Sequence, residues 1–146
     1  CDVEGRRVLD LFAGTGQLGI EALSRGAEKC VFVDASREAV KVIRENVELT
    51  GFDSQGRVQQ GDAVAFLTSC REKFALCFLD PRYASVLLDK ALQKIAEIDI
   101  MAENGIIVCE SAADRILPQL PAPSEMGREY RYGKIKLTLY HRRAGS

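Results

Sequence analysis

The chain of 146 residues has no tryptophan, one histidine and no Cys-x-x-Cys pair. Nor does any apolar run approach the ~18 residues that a membrane span needs. The single histidine, His141, near the end of the sequence, leaves zinc sites and Ser-His or Cys-His nucleophile schemes poorly supplied. Chemistry here has to lean on carboxylates and backbone groups, with no metal expected. Three of the five cysteines, Cys1, Cys30, Cys70, Cys77 and Cys109, lie inside apolar strand-like runs. They read as buried small hydrophobes in a reduced, cytoplasmic protein rather than as a disulfide or metal framework. No signal-peptide pattern is visible.

What is present is ordinary for a globular protein: 47% hydrophobic and 28% charged residues. The length suits one domain over residues 1–146, given the usual ~100–200 residues per domain. The first residue is Cys1, so a processed form or one lacking upstream sequence is expected. A formal net charge of -1 hides a split, because residues 124–146 carry six Lys/Arg against two Asp/Glu. That basic end fits contact with a polyanion, and it fits a solvated edge hairpin equally well.

The pattern along the chain is alternating strand and helix. Arg7 to Ala13 reads as a buried strand, followed by a helix near Gln17 to Ser24 that stops at Gly26. Cys30 to Ala35 is the second strand; Ser36 is a good N-cap for a helix carrying Val40, Ile43 and Val47 on one face up to Gly51. A third strand near Arg57 to Gly61 leads through Asp62 into a short helix to about Cys70. Phe74 to Leu79 suits a strand buried on both faces. Leu88, Ala91, Leu92, Ile95 and Ile98 keep helical spacing, and Asn104-Gly105 is read as a turn before a strand from Ile106 to Cys109. After a loop marked by Pro118, Pro121 and Pro123, Glu129 to Tyr132 and Ile135 to His141 flank Gly133-Lys134 as a terminal hairpin. The expected fold is α/β, a doubly wound, mostly parallel sheet with a C-terminal antiparallel hairpin and ligands at the carboxyl ends of its first strands.

Gly14-Thr15-Gly16-Gln17-Leu18-Gly19 matches G-x-G-x-x-G, and Asp34 lies 20 residues past Gly14 at the end of the second strand, placed for a ribose hydroxyl pair. Alone, this would suggest NAD and an oxidoreductase. Asp10 argues against a pyrophosphate, because a carboxylate beside the turn repels it and attracts the ammonium and sulfonium of S-adenosylmethionine. Asp62, after strand three, is placed to accept from an adenine amino group, although strand-end and N-cap roles also explain Asp34 and Asp62. Phe12 is close to the turn, with core packing as its simpler role.

Asp80-Pro81-Arg82-Tyr83 closes another strand. Methylating an exocyclic amine is difficult because the amine lone pair is delocalised into the ring. The Asp80 carboxylate and the Pro81 carbonyl are two acceptors that hold both amine hydrogens and localise that pair. Tyr83 supplies a stacking face, a contact worth about 1–3 kcal/mol per base. The plainer alternative for Asp80-Pro81 is a strand-ending turn.

At this point the chain resembles the bacterial RsmD-type methyltransferases, which make N2-methylguanosine in small-subunit ribosomal RNA. The resemblance is carried by Val8-Leu9-Asp10-Leu11-Phe12-Ala13-Gly14-Thr15-Gly16 and, more specifically, by Leu18-Gly19-Ile20-Glu21-Ala22-Leu23-Ser24-Arg25-Gly26-Ala27. Val33-Asp34, Asp62-Ala63, Leu79-Asp80-Pro81 with Tyr83, and Tyr132-Gly133-Lys134 extend it over nearly the whole chain. It implies a class I methyltransferase Rossmann-like sheet and S-adenosylmethionine as cofactor, with S-adenosylhomocysteine as its product. Cofactor contacts fall on Asp10, Phe12, Ala13, Gly14, Gly16, Asp34, Ala35, Asp62 and Ala63, and catalytic ones on Asp80, Pro81 and Tyr83. The implied partner is ribosomal RNA or an assembling small subunit, met by a monomer. Arg82 replaces the second proline of the family's Asp-Pro-Pro-Tyr/Phe motif, which should loosen the Pro81 carbonyl and lower activity or alter the acceptor. The family's partly basic amino-terminal segment, which helps cover the cofactor and engage RNA, has no counterpart in the sequence.

Overall fold

Leu9, Leu11, Val31, Val33, Cys77 and Leu79 are almost wholly inaccessible to solvent, which is what a strand packed on both faces requires of its residues. They belong to three neighbouring strands at the centre of a seven-stranded sheet. The computed structural model describes residues 3–81 and 86–143. Its elements are β1 (Arg7–Leu11), α1 (Gln17–Ser24), β2 (Lys29–Asp34), α2 (Arg37–Leu49), β3 (Gly56–Gln60), α3 (Ala63–Ser69), β4 (Phe74–Leu79), α4 (Val86–Glu97), β5 (Met101–Ala112), β6 (Ser124–Tyr132) and β7 (Ile135–Arg142). The strand order is β3-β2-β1-β4-β5-β7-β6, with β1 to β5 parallel and β7 antiparallel to both β5 and β6. This is the expected doubly wound sheet, with its order reversing between β1 and β4, where such sheets open a crevice.

Two cores flank the sheet. Ala22, Leu23, Ile43 and Val47 from α1 and α2 pack with Val8, Cys30 and Phe32 on one face; Phe66, Leu67, Leu88, Ala91, Leu92 and Ile95 from α3 and α4 pack with Leu9, Leu11 and Leu79 on the other. Ser36 caps α2 through Ala39 N–H, and Gly26 ends the turn after α1 at φ 99°, as the sequence suggests. Tyr140 donates its hydroxyl to the Pro118 carbonyl at 2.7 Å, tying the proline-marked loop to β7.

Three readings need correction. β1 ends at Leu11 rather than Ala13, because Phe12 turns to φ 60°. The expected turn at Asn104-Gly105 lies inside β5: the strand runs from Met101 to Ala112, and the register against β4 slips between Phe74 and Leu76, so that these residues form a bulge. Asn104 sits there at φ 61°, a conformation that asparagine tolerates in turns and bulges alike. The hairpin strands are also longer than their patterning shows, because β6 is an exposed edge whose residues need no alternation.

Gly19 is the point of closest approach between α1 and the sheet. A Cβ there would lie 2.7 Å from the Cys30 sulfur and clash with the Phe32 ring. Gly19→Ala is therefore expected to destabilise the fold by about 1–3 kcal/mol, with Tm falling by about 2–4 °C per kcal/mol at this length. An unchanged thermal transition would contradict that packing.

Candidate active site at the carboxyl ends of the strands

Parallel strands that begin in register also end in register, and here four consecutive strand ends carry acids. Asp34 closes β2, Asp10 is the penultimate residue of β1, Asp80 follows β4, and Glu110 lies near the end of β5. The register pairs Leu79 with Cys109, which makes Asp80 and Glu110 the next neighbours across the two strands.

The turn after β1 supplies the cradle. Phe12, Gly14 and Gly16 all take positive φ, at 60°, 61° and 81°, and the Gly16 N–H donates to the Ala13 carbonyl at 2.8 Å. A non-glycine residue in this region is uncommon and marks a backbone held by its surroundings. The Asp34 carboxylate fastens the turn from below, accepting the Gly14 N–H at 3.0 Å and the Ser36 N–H at 2.9 Å. Gly16 itself is buried, with room for a Cβ only 3.1 Å from Ile43. It shapes the turn and does not line the cleft.

Two cavities open beside the turn. The larger, of about 440 Å³, is lined by Phe12, Gly14, Thr15, Asp34, Ser36 and Asp80 among others, within the range of small-molecule sites. The smaller, of about 230 Å³, has Asp10, Gln17, Leu18, Asp80 and Glu110 in its walls together with Phe12, Ala13, Gly14 and Thr15. Asp80 lines both, as do Phe12, Gly14 and Thr15. Ala35 is exposed beside the larger one. Pro81 follows Asp80 and is half-buried; Arg82 and the expected stacking residue Tyr83 lie outside the described residues.

Electrostatics concentrate at the smaller cavity. Asp10 is 1% exposed and accepts the Gly19 N–H at 3.0 Å. Burial pushes its carboxyl up to about 7, and the Asp80 and Asp34 charges add to the effect, while the Gly19 hydrogen bond opposes it. Sharing a hydrogen bond with Asp80, then burial and the Asp80 charge, raises the Glu110 carboxyl to about 7 as well. Such a pocket favours cationic groups and repels a pyrophosphate.

Asp62 and Ala63 stand apart from these cavities. Asp62 caps α3, accepting the Ala65 N–H at 2.9 Å, and Ala63 begins that helix. Glu110 is the residue that sequence reasoning missed; the available signal was an acid ending the apolar run Ile106-Ile107-Val108-Cys109. Among the described residues there is no His/Cys/Asp/Glu group arranged for a metal ion, and no helix long and apolar enough to cross a membrane.

Comparison with known proteins gives a consistent picture. The family described as Conserved hypothetical protein 95 matches residues 1–141. YlbH of Bacillus subtilis (strain 168), a candidate rRNA methyltransferase by name, is 36% identical over 143 residues, covering 96% of this chain and 78% of its own. Ribosomal RNA small subunit methyltransferase D of Escherichia coli (strain K12) is 31% identical over 136 residues, covering 93% and 68%. Among solved structures, a conserved hypothetical protein of Streptococcus pyogenes superposes with a TM-score of 0.87 at 34% identity, covering 94% of this chain and 86% of that one.

Proposed function

The chain belongs to the Conserved hypothetical protein 95 family of RsmD-type methyltransferases, and from that premise we propose that it transfers a methyl group from S-adenosylmethionine to the exocyclic N2 amine of a guanine in small-subunit ribosomal RNA. The observation that carries this reading is the position of Asp80, which lines both the cavity that Asp34 lines and the acidic cavity holding Asp10. The donor set fits the cofactor. Asp34 suits the ribose hydroxyls, Asp10 the ammonium and sulfonium groups, and Phe12, Ala13, Gly14 and Ala35 the body of the molecule. Asp62 and Ala63 would face the adenine from the start of α3.

When bound, the cofactor supplies an electrophilic methyl group. The chain's own residues supply position: the Asp80 carboxylate and Pro81 carbonyl accept the two amine hydrogens, so that the nitrogen lone pair points towards the cradle. Tyr83 stacks on the base. No strong base is needed, because the methylated amine is a strong acid and gives up its proton to the carboxylate that holds it.

Residues 1–146 act in this reading as one catalytic domain, monomeric and cytoplasmic, on ribosomal RNA or an assembling small subunit. The direct test is incubation with methyl-labelled cofactor and small-subunit rRNA or assembly particles, followed by nucleoside analysis. N2-methylguanosine supports the proposal; label on another base or on protein overturns the acceptor assignment.

A further inference from the structure

Asp80 has one neighbour that the proposed transfer does not employ. Glu110 projects from β5 into the smaller cavity beside Asp80, one step beyond the Leu79–Cys109 register pair, and interaction with Asp80 is the first cause of the rise in its carboxyl. A bond between two carboxyl groups requires a proton on one of them. Among the described residues, the other titratable group in that cavity is Asp10, from β1. Among the described residues, β7 pairs Leu137 with Glu110, Tyr130 of β6 lies beyond, and α1 contributes Gln17 and Leu18 to the cavity, none of them a cation.

We propose that Glu110 is a positioning residue for the transfer: as a carboxylic acid it donates its proton to one Asp80 oxygen and so fixes the other oxygen towards the substrate amine. The inference rests on the methyltransferase reading and deepens it. Asp80 lies on the wall of both cavities, and an aspartate at the end of a strand can rotate about two side-chain bonds. A donor at its back selects one orientation. Glu110 keeps the proton because the Asp80 bond and burial hold its carboxyl up to about 7. As pH rises through that value Glu110 ionises, the donor is lost, and two carboxylates repel each other beside Asp10.

Glu110→Gln keeps a donor, an amide N–H, and removes the titration. It should therefore retain turnover within about threefold and lose the alkaline fall in kcat expected of the unmodified protein above about pH 7. Glu110→Ala should lower kcat by about ten- to a hundredfold, leaving the RNA KM and the S-adenosylhomocysteine Kd within twofold. In the free protein, carbon-13 NMR of the Glu110 carboxyl should titrate near 7 and move down in Asp80→Asn. Full activity of Glu110→Ala, or an alkaline limb unchanged in Glu110→Gln, would overturn the proposal. An unmodified protein that transfers no methyl group would remove the reading on which it rests, whereas the NMR titration reports the Asp80–Glu110 pair independently of any activity.

Discussion

Asp80→Ala is expected to lower methyl transfer by about 10²–10³-fold, the range found when one preorganised hydrogen-bonding group is removed from a reacting centre. Affinity for S-adenosylhomocysteine should stay within about threefold. The split follows from the part of the cleft that Asp80 serves. The cradle is closed by Asp34 and the turn from Phe12 to Gly16, whose hydrogen bonds do not involve Asp80. Removing Asp80 takes away the acceptor for the amine and relieves part of the repulsion that holds the Asp10 carboxyl high, so cofactor binding has no reason to weaken. Kinetics with labelled cofactor and calorimetry on the same preparation separate the two effects. A large loss of S-adenosylhomocysteine affinity would show that Asp80 is a cofactor contact instead.

Asp34→Ala should show the converse, a loss of S-adenosylhomocysteine affinity of at least about a hundredfold. Two hydrogen bonds from ribose hydroxyls to a carboxylate are worth about 1.5–3 kcal/mol each, and every 1.4 kcal/mol is about tenfold in Kd. The same carboxylate holds the Gly14 and Ser36 N–H groups at 3.0 and 2.9 Å, so its removal also frees the turn. A cofactor analogue lacking both ribose hydroxyls distinguishes the two contributions. It should bind the unmodified protein weakly, and lose little further affinity on Asp34→Ala if ribose recognition dominates. Affinity within threefold of the unmodified protein for S-adenosylhomocysteine itself would contradict the ribose assignment.

Legibility in the sequence followed the range of the interactions. The unbroken apolar run from Phe74 to Leu79 and the spacing of Val40, Ile43 and Val47 are local patterns, and the structure has β4 and α2 at those places. The third glycine of the turn, Gly19, serves close packing of α1 on β2, a role that only the folded arrangement reveals. What the local pattern could not carry was set by pairing. Asn104-Gly105 has the composition of a turn, yet β4 on one side and β7 on the other draw the chain through it as a strand. Phe12 reads as a core residue and does pack against the core, but from a positive φ that also places it on the lining of the cleft. Glu110 looks unremarkable until the parallel register sets it beside Asp80. Asp62 illustrates the opposite limit. Its N-cap bond to Ala65 explains its place in the sequence, and its adenine contact stays part of the proposal.

The central claim is that this cleft is built for a cationic nucleoside cofactor and not for a dinucleotide, and calorimetric titration with S-adenosylhomocysteine, with NAD in parallel, tests it most directly. The account predicts saturable binding of S-adenosylhomocysteine and none of NAD, because the acidic side chains of Asp10 and Asp80 disfavour a pyrophosphate. Binding of NAD alone would contradict it.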